Sequence, residues 1–148
     1  MKLLVVGAGS VGGYFGGRLV QAGRDVSFLV RPRRAAQLAE RGLEIVSPHG
    51  DVTLRPRILT ADQVTAPYDA VLLTVKSFHL DQAMDDIAPA IGPGTVIIPL
   101  LNGMRHMDTL ATRFGKQAVI GGVVKCATTL DKDGRIIQLA GFQDLAYG

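Results

Sequence analysis

Gly7-Ala8-Gly9-Ser10-Val11-Gly12 spells G-x-G-x-x-G. Glycine lets backbone amides approach a ligand with no side chain between. A helix that opens at such a turn presents N–H groups without intrahelical partners, at the positive end of its dipole. Those donors suit a pyrophosphate. The three glycines serve different ends. Gly7 permits a tight strand-to-helix turn, Gly9 admits the phosphates, and Gly12 lets the helix lie close on a sheet. Alone the pattern is weak, and its alternative is a glycine turn with no ligand. Here it follows an apolar run and opens a helical one inside a βαβ unit of about 30 residues, the setting of a dinucleotide site. Gly7, Ala8, Gly9, Ser10, Val11 and Gly12 are therefore expected to bind a cofactor. Gly13, Gly16 and Gly17 follow, although an interior helical glycine costs up to about 1 kcal/mol against alanine. Gly16 extends the Gly12 packing stripe by one turn; Gly13 and Gly17 have no explanation in the sequence.

Which dinucleotide binds depends on the end of the next strand. An NAD site places an acid there, about 20 residues past the glycines, on the ribose 2′-hydroxyl. This chain reads Leu29-Val30-Arg31, with no acid at that end. A carboxylate would repel a 2′-phosphate, whereas a guanidinium binds one through two hydrogen bonds. Arg31 thus favours NADP(H) over NAD(H). Pro32 stiffens the turn. Arg33 and Arg34 add positive field, and their role is open between function and a solvated basic face.

Two further polar positions fall at strand ends, where open α/β sheets hold ligands. Lys76 follows Leu72-Leu73-Thr74-Val75 and can reach a cofactor or a substrate carboxylate; its alternative is a solvated lysine. Asn102, in Asn102-Gly103, follows the next strand and offers a donor and an acceptor. His49, His79 and His106 lack metal-ligand spacing, so no metal is expected. Asp85-Asp86 reads as a solvated face. No Ser/His/Asp arrangement or other catalytic group stands out.

The elements that must hold these residues alternate. Strands are expected at 2–6, 25–30, 70–75, 95–100, 118–124 and 135–139. Helices are expected at 11–22, 33–41, 79–91 and 104–114, with a hairpin of 43–46 and 52–54. Val11, Phe15 and Leu19 recur at helical spacing, and Gly23 and Gly42 stand where helices stop. Strand alternating with helix predicts an α/β fold, a Rossmann-type doubly wound, mostly parallel sheet in a single domain over 1–148.

Composition bounds the function. With 47% hydrophobic and 20% charged residues, the 148-residue chain is globular rather than disordered. A net charge of +3 gives no reason to expect nucleic acid as a partner. No apolar run reaches the ~18 residues of a membrane span, and Met1-Lys2 leads straight into a strand, so no signal peptide and no membrane association are expected. The one cysteine, Cys126, forms no internal disulfide and reads as a small buried hydrophobe. A reducing, cytoplasmic setting fits. Oligomeric state is open, a homodimer included.

"GAGSVGGYFGGRL", "LVRPRR", "LLTVKSF" and "LLNGM" follow one another in the order seen in the ketopantoate reductase (2-dehydropantoate 2-reductase) family, and "GRIIQLAGFQDLAYG" resembles that family's close of its cofactor domain. The resemblance implies NADPH as hydride donor and a 2-oxo acid substrate, ketopantoate in pantothenate biosynthesis. It implies that Gly7–Gly12 take the pyrophosphate, Arg31 the 2′-phosphate, and Lys76 and Asn102 positions near the nicotinamide and substrate. Ala127 falls where the family uses a backbone contact to the cofactor. The family often reads Gln-Asn-Gly-x-Gly, whereas Leu101 and Arg105 stand at the outer positions here. It also implies a following helical domain that supplies the lysine proton donor, so this chain is expected to bind NADP(H) and turn over little alone. Other readings are the cofactor domain of another NADP-dependent hydroxyacid or glycerol-phosphate dehydrogenase, or a stand-alone NADP(H)-sensing module.

Overall fold

The computed structural model describes residues 1–76, 79–100 and 105–147, with backbone alone at 105, 123–126 and 142–147. Asn102, Gly103 and the Cys126 side chain lie outside the described residues.

Short apolar runs build the main sheet. β1 (Lys2–Val6) pairs in parallel with β2 (Asp25–Leu29) on one side and β6 (Tyr68–Leu73) on the other. β5 (Arg57–Leu59) extends the sheet beyond β2, and β7 (Ile91–Pro99) beyond β6. The order β5-β2-β1-β6-β7 makes it a parallel, Rossmann-type sheet. The chain winds outward from β1 to β5, then crosses back to place β6 against the free side of β1. Strand order therefore reverses between β1 and β6, the switch point at which such sheets hold ligands.

Successive side chains of a strand face opposite sides. Leu4 and Val6 of β1 and Val71 and Leu73 of β6 accordingly share one core with α3 (Leu80–Ile87) and with Leu110 of α4 (Arg105–Phe114). Val5, Phe28 and Leu72 face the other way, with Tyr14 of α1 (Ser10–Gln21) and Leu38 of α2 (Pro32–Arg41).

A second sheet covers the far side of α1. It consists of β3 (Leu43–Val46), β4 (Val52–Leu54), β8 (Gly122–Leu130) and β9 (Ile136–Tyr147), in the order β4-β3-β9-β8. β3 and β4 form the expected antiparallel hairpin, and β3 pairs in parallel with β9. This sheet accounts for Gly13 and Gly17. A Cβ on Gly13 would stand 2.3 Å from Ile136 Cδ1, and one on Gly17 would stand 2.8 Å from Ile45 Cδ1. Gly16 meets the main sheet instead, its Cβ position lying 2.6 Å from the Phe28 ring. α1 is thus clamped between two sheets, with a glycine pair towards each.

The structure differs from the sequence expectation in several places. α3 stops at Ile87 rather than 91, because Pro89 has no N–H to continue it, and a 3-10 turn, Ala88–Ala90, follows. β6 runs from Tyr68 to Leu73, so Thr74 to Lys76 form a loop. β7 begins at Ile91 and loops out Gly92-Pro93-Gly94 between the Tyr68–Ile91 and Ala70–Val96 pairs. The buried Thr95 hydroxyl holds that loop, donating to the Tyr68 carbonyl (2.6 Å) and accepting from Gly92 N–H (2.8 Å). Residues 118–124 split between the 3-10 turn Lys116–Ala118, a bridge from Val119 to Ile97, and the start of β8. β9 is longer than the expected 135–139, and β5 has no counterpart among the expected strands.

Candidate functional site

The glycine turn sits at the carboxyl end of β1. Gly7 adopts φ +94°, which favours glycine, and its N–H donates to the Leu29 carbonyl at 2.9 Å. Gly12 is buried under the turn: a Cβ there would stand 2.3 Å from both the Gly7 carbonyl oxygen and Thr74 Oγ1. Gly9 is the opposite case, with nothing within 4 Å of the position a Cβ would take. Gly9 caps α1 without a side chain, and Gly13 N–H returns to the Gly9 carbonyl at 2.8 Å. The amides of Ser10, Val11 and Gly12 therefore precede the helical ladder and face the turn as donors. An open cradle over Gly9, floored by these amides, fits a pyrophosphate.

Two side chains fix the turn in place, and sequence reasoning assigned neither. Thr74 Oγ1 donates to the Val6 carbonyl at 2.6 Å and lies 3.2 Å from the Gly7 carbonyl. Arg34, half-buried, donates from Nε (3.1 Å) and Nη2 (2.8 Å) to the Ala8 carbonyl, and from Nη1 to the Gly134 carbonyl at 3.2 Å. Burial lowers its pKa, yet a guanidinium stays charged at neutral pH. Gln37 Nε2 donates to the neighbouring Asp133 carbonyl at 3.0 Å. Arg34 thereby ties the glycine turn, α2 and the β8–β9 connection together, a structural role. Arg33 is exposed and outside the cleft.

A cleft of about 1220 Å³ opens over the carboxyl ends of β1, β2 and β6. It exceeds the ~300–1,000 Å³ typical of small-ligand pockets, as an extended dinucleotide requires. Gly7, Ala8, Gly9, Ser10 and Val11 line it, with Arg31 and Pro32 after β2 and with Thr74, Lys76 and His79 after β6. Thr60, Ala61 and Asp62 close its far wall from a 3-10 turn, and Leu100 borders it after β7. The structure thus brings Arg31 and Lys76 to the glycine turn. Asn102 lies outside the described residues. Ala127 lies where the β8–β9 register shifts; β8 contributes Leu130 to the cleft rather than Ala127.

Arg31 Nη2 meets His79 Nδ1 at 2.5 Å. Partial burial, with the Arg31 and Lys76 cations beside it, lowers the His79 pKa from its ordinary value. His79 is a further cleft residue the sequence did not single out, because isolated histidines carry no pattern. His106 is buried in the first turn of α4, and burial lowers its pKa as well. No cluster among the described residues has the composition of a metal site, and no helix among them is long and apolar enough to cross a membrane.

The model of the ketopantoate reductase PanE/ApbA family matches residues 3–148. The chain belongs to this family. The uncharacterized oxidoreductase YkpB of Bacillus subtilis is 43% identical over all of this chain and 48% of its own length. The 2-dehydropantoate 2-reductase of Mesorhizobium japonicum is 29% identical, covering 95% of this chain and 50% of its own length. The crystal structure of 2-dehydropantoate 2-reductase from Geobacter metallireducens superposes with a TM-score of 0.90 at 34% identity, over 100% of this chain and 49% of that one. The chain thus spans about half the length of each of these relatives. A ternary structure of D-mandelate dehydrogenase with NADH and anilino(oxo)acetate shares the fold, with a TM-score of 0.87 at 24% identity.

Proposed function

We propose that the chain is the NADP(H)-binding part of a reductase of 2-oxo acids, with 2-dehydropantoate as the substrate the family suggests. The observation that carries this reading is Arg31, at the end of β2, opening into the same cleft as the Gly9 cradle where an NAD site would place an acid. Gly9, Ser10 and Val11 receive the pyrophosphate on backbone amides, and Arg31 receives the 2′-phosphate through a charge-assisted pair. Lys76, exposed on the loop after β6, is placed to meet a carboxylate or the cofactor amide, and the family resemblance gives Asn102 a role beside it. Bound NADPH supplies the hydride. Reduction of a ketone also needs a proton donor, and the family resemblance puts that lysine in a helical domain beyond these 148 residues. A small 2-oxo acid and a reducing, cytoplasmic compartment complete the reading.

Titration of the chain with NADPH and NADH, read by nucleotide fluorescence, tests it. NADPH is expected to bind markedly tighter. Equal affinities would remove the assignment of Arg31, and no binding of either would remove the cofactor reading. The chain alone is expected to show little NADPH-dependent ketopantoate reduction.

A further inference from the structure

Arg31 is held by the ring of His79, and that contact has a protonation state built into it. A guanidinium only donates. Arg31 Nη2 lies 2.5 Å from His79 Nδ1, so Nδ1 accepts and the imidazole is neutral, its proton on Nε2. An imidazolium has no acceptor to offer and would repel Arg31. His79 is also the N-cap residue of α3, at the positive end of that helix, which disfavours a cation and favours an anion.

The charged groups around this point come from every side of the cleft. Arg31 stands on the β2–α2 turn and Lys76 on the same loop as His79. Asp62 faces in from the 3-10 turn and Asp86 from α3, and each already accepts a hydrogen bond, Asp62 from the Thr60 hydroxyl and Asp86 from Gln82 Nε2. Arg34 is committed to backbone carbonyls. Partial burial, then the Arg31 and Lys76 cations, lower the His79 pKa.

A phosphate monoester carries close to two negative charges at neutral pH and accepts on three oxygens. Placed against Arg31, it replaces Nδ1 as the guanidinium's acceptor and reverses the local field. We propose that His79 is a second cation of the 2′-phosphate site, accepting from Arg31 through its neutral Nδ1 and taking a proton from solvent onto that atom when a phosphate replaces it as the guanidinium's acceptor. This rests on the reading of the cleft as an NADP(H) site.

The sign of the pH dependence follows by linkage. Without phosphate the His79 pKa lies below the ordinary histidine value; with phosphate beside it, it rises. Between those two values binding takes up a proton, so NADPH affinity increases as pH falls, by up to about tenfold per pH unit for one proton. Above the bound-state value the contribution vanishes, and below the free-state value it is constant. NADH, with a 2′-hydroxyl in place of the phosphate, shows no such dependence at His79.

Isothermal titration of the 148-residue chain with NADPH and NADH between about pH 6 and pH 8, in buffers of different ionisation enthalpy, reads this directly. The expected result is net proton uptake with NADPH and none with NADH. The NADPH-to-NADH affinity ratio should rise by about three- to tenfold towards the acidic end. His79→Gln should retain NADPH preference through Arg31 while losing both the uptake and the pH slope. An unchanged uptake and slope in His79→Gln would assign them to another group of the protein, since the phosphate's own titration beside Arg31 releases protons, and would overturn the proposal. A tight, selective and pH-independent NADPH site would overturn it while leaving the cofactor reading intact. Failure to bind either nucleotide would overturn both. Titrating 2′,5′-ADP against 5′-AMP separates the 2′-phosphate from the nicotinamide half and is expected to reproduce the NADPH–NADH contrast.

Discussion

At the scale of single residues, the proposed preference for NADP(H) rests first on the Arg31 guanidinium. Arg31 stands at the end of β2 and lines the cleft, while its neighbour Arg34 is turned to the Ala8 and Gly134 carbonyls. Members of one basic run thus do different work, a division the sequence leaves open because it depends on which carbonyls the fold brings near. Arg31→Ala removes a charge-assisted bidentate donor, so NADPH binding is expected to weaken by about 1.5–3 kcal/mol. NADH binding is expected to stay nearly constant. Competitive titration of the two nucleotides checks this; an equal loss for both would make Arg31 a structural residue.

At the scale of elements, α1 explains its own glycines once both of its neighbours are known. Gly12 and Gly16 face the main sheet and its connections, and Gly13 and Gly17 face the second sheet. The contrast between Gly9 and Gly12 is testable. Gly9→Ala places a methyl where nothing stands within 4 Å, so stability should hold to within about 1 kcal/mol of capping cost while NADPH affinity falls. Gly12→Ala places a methyl 2.3 Å from a backbone oxygen and should lower stability by about 1–3 kcal/mol. Thermal melts with nucleotide titration distinguish the two; a stable, tight-binding Gly9→Ala protein would contradict the cradle. The turn, α1, α2 and β6 are legible in the sequence because hydrophobic period and glycine punctuation act locally. β5 is not: Arg57–Leu59 is too short to show a period and is a strand only because β2 offers it an edge. Only the first part of β9 is legible, for a related reason, since its pairing with β8 across a register shift is a tertiary fact. Thr74 lies in the LLTVKSF run, which gives it no role, and His79 in none; the parts they play become visible only when β6 is laid beside β1.

For the whole molecule, the second sheet and the main sheet together clamp the helix whose first amides face the cleft. The β8–β9 connection reaches back through Arg34 and Gln37 to hold α2 and the glycine turn. The cleft proposed for the cofactor is thus assembled from both ends of the chain. The chain spans about half the length of its 2-dehydropantoate 2-reductase relatives, so cofactor binding is the property these 148 residues can be asked to show by themselves. A crystal structure of the chain grown with NADPH would ask for it. The expected result is the pyrophosphate over Gly9 at the start of α1, with the 2′-phosphate hydrogen-bonded to Arg31. A nucleotide bound elsewhere, or one in the cleft with its 2′-phosphate turned away from Arg31, would contradict the assignment of this cleft as an NADP(H) site.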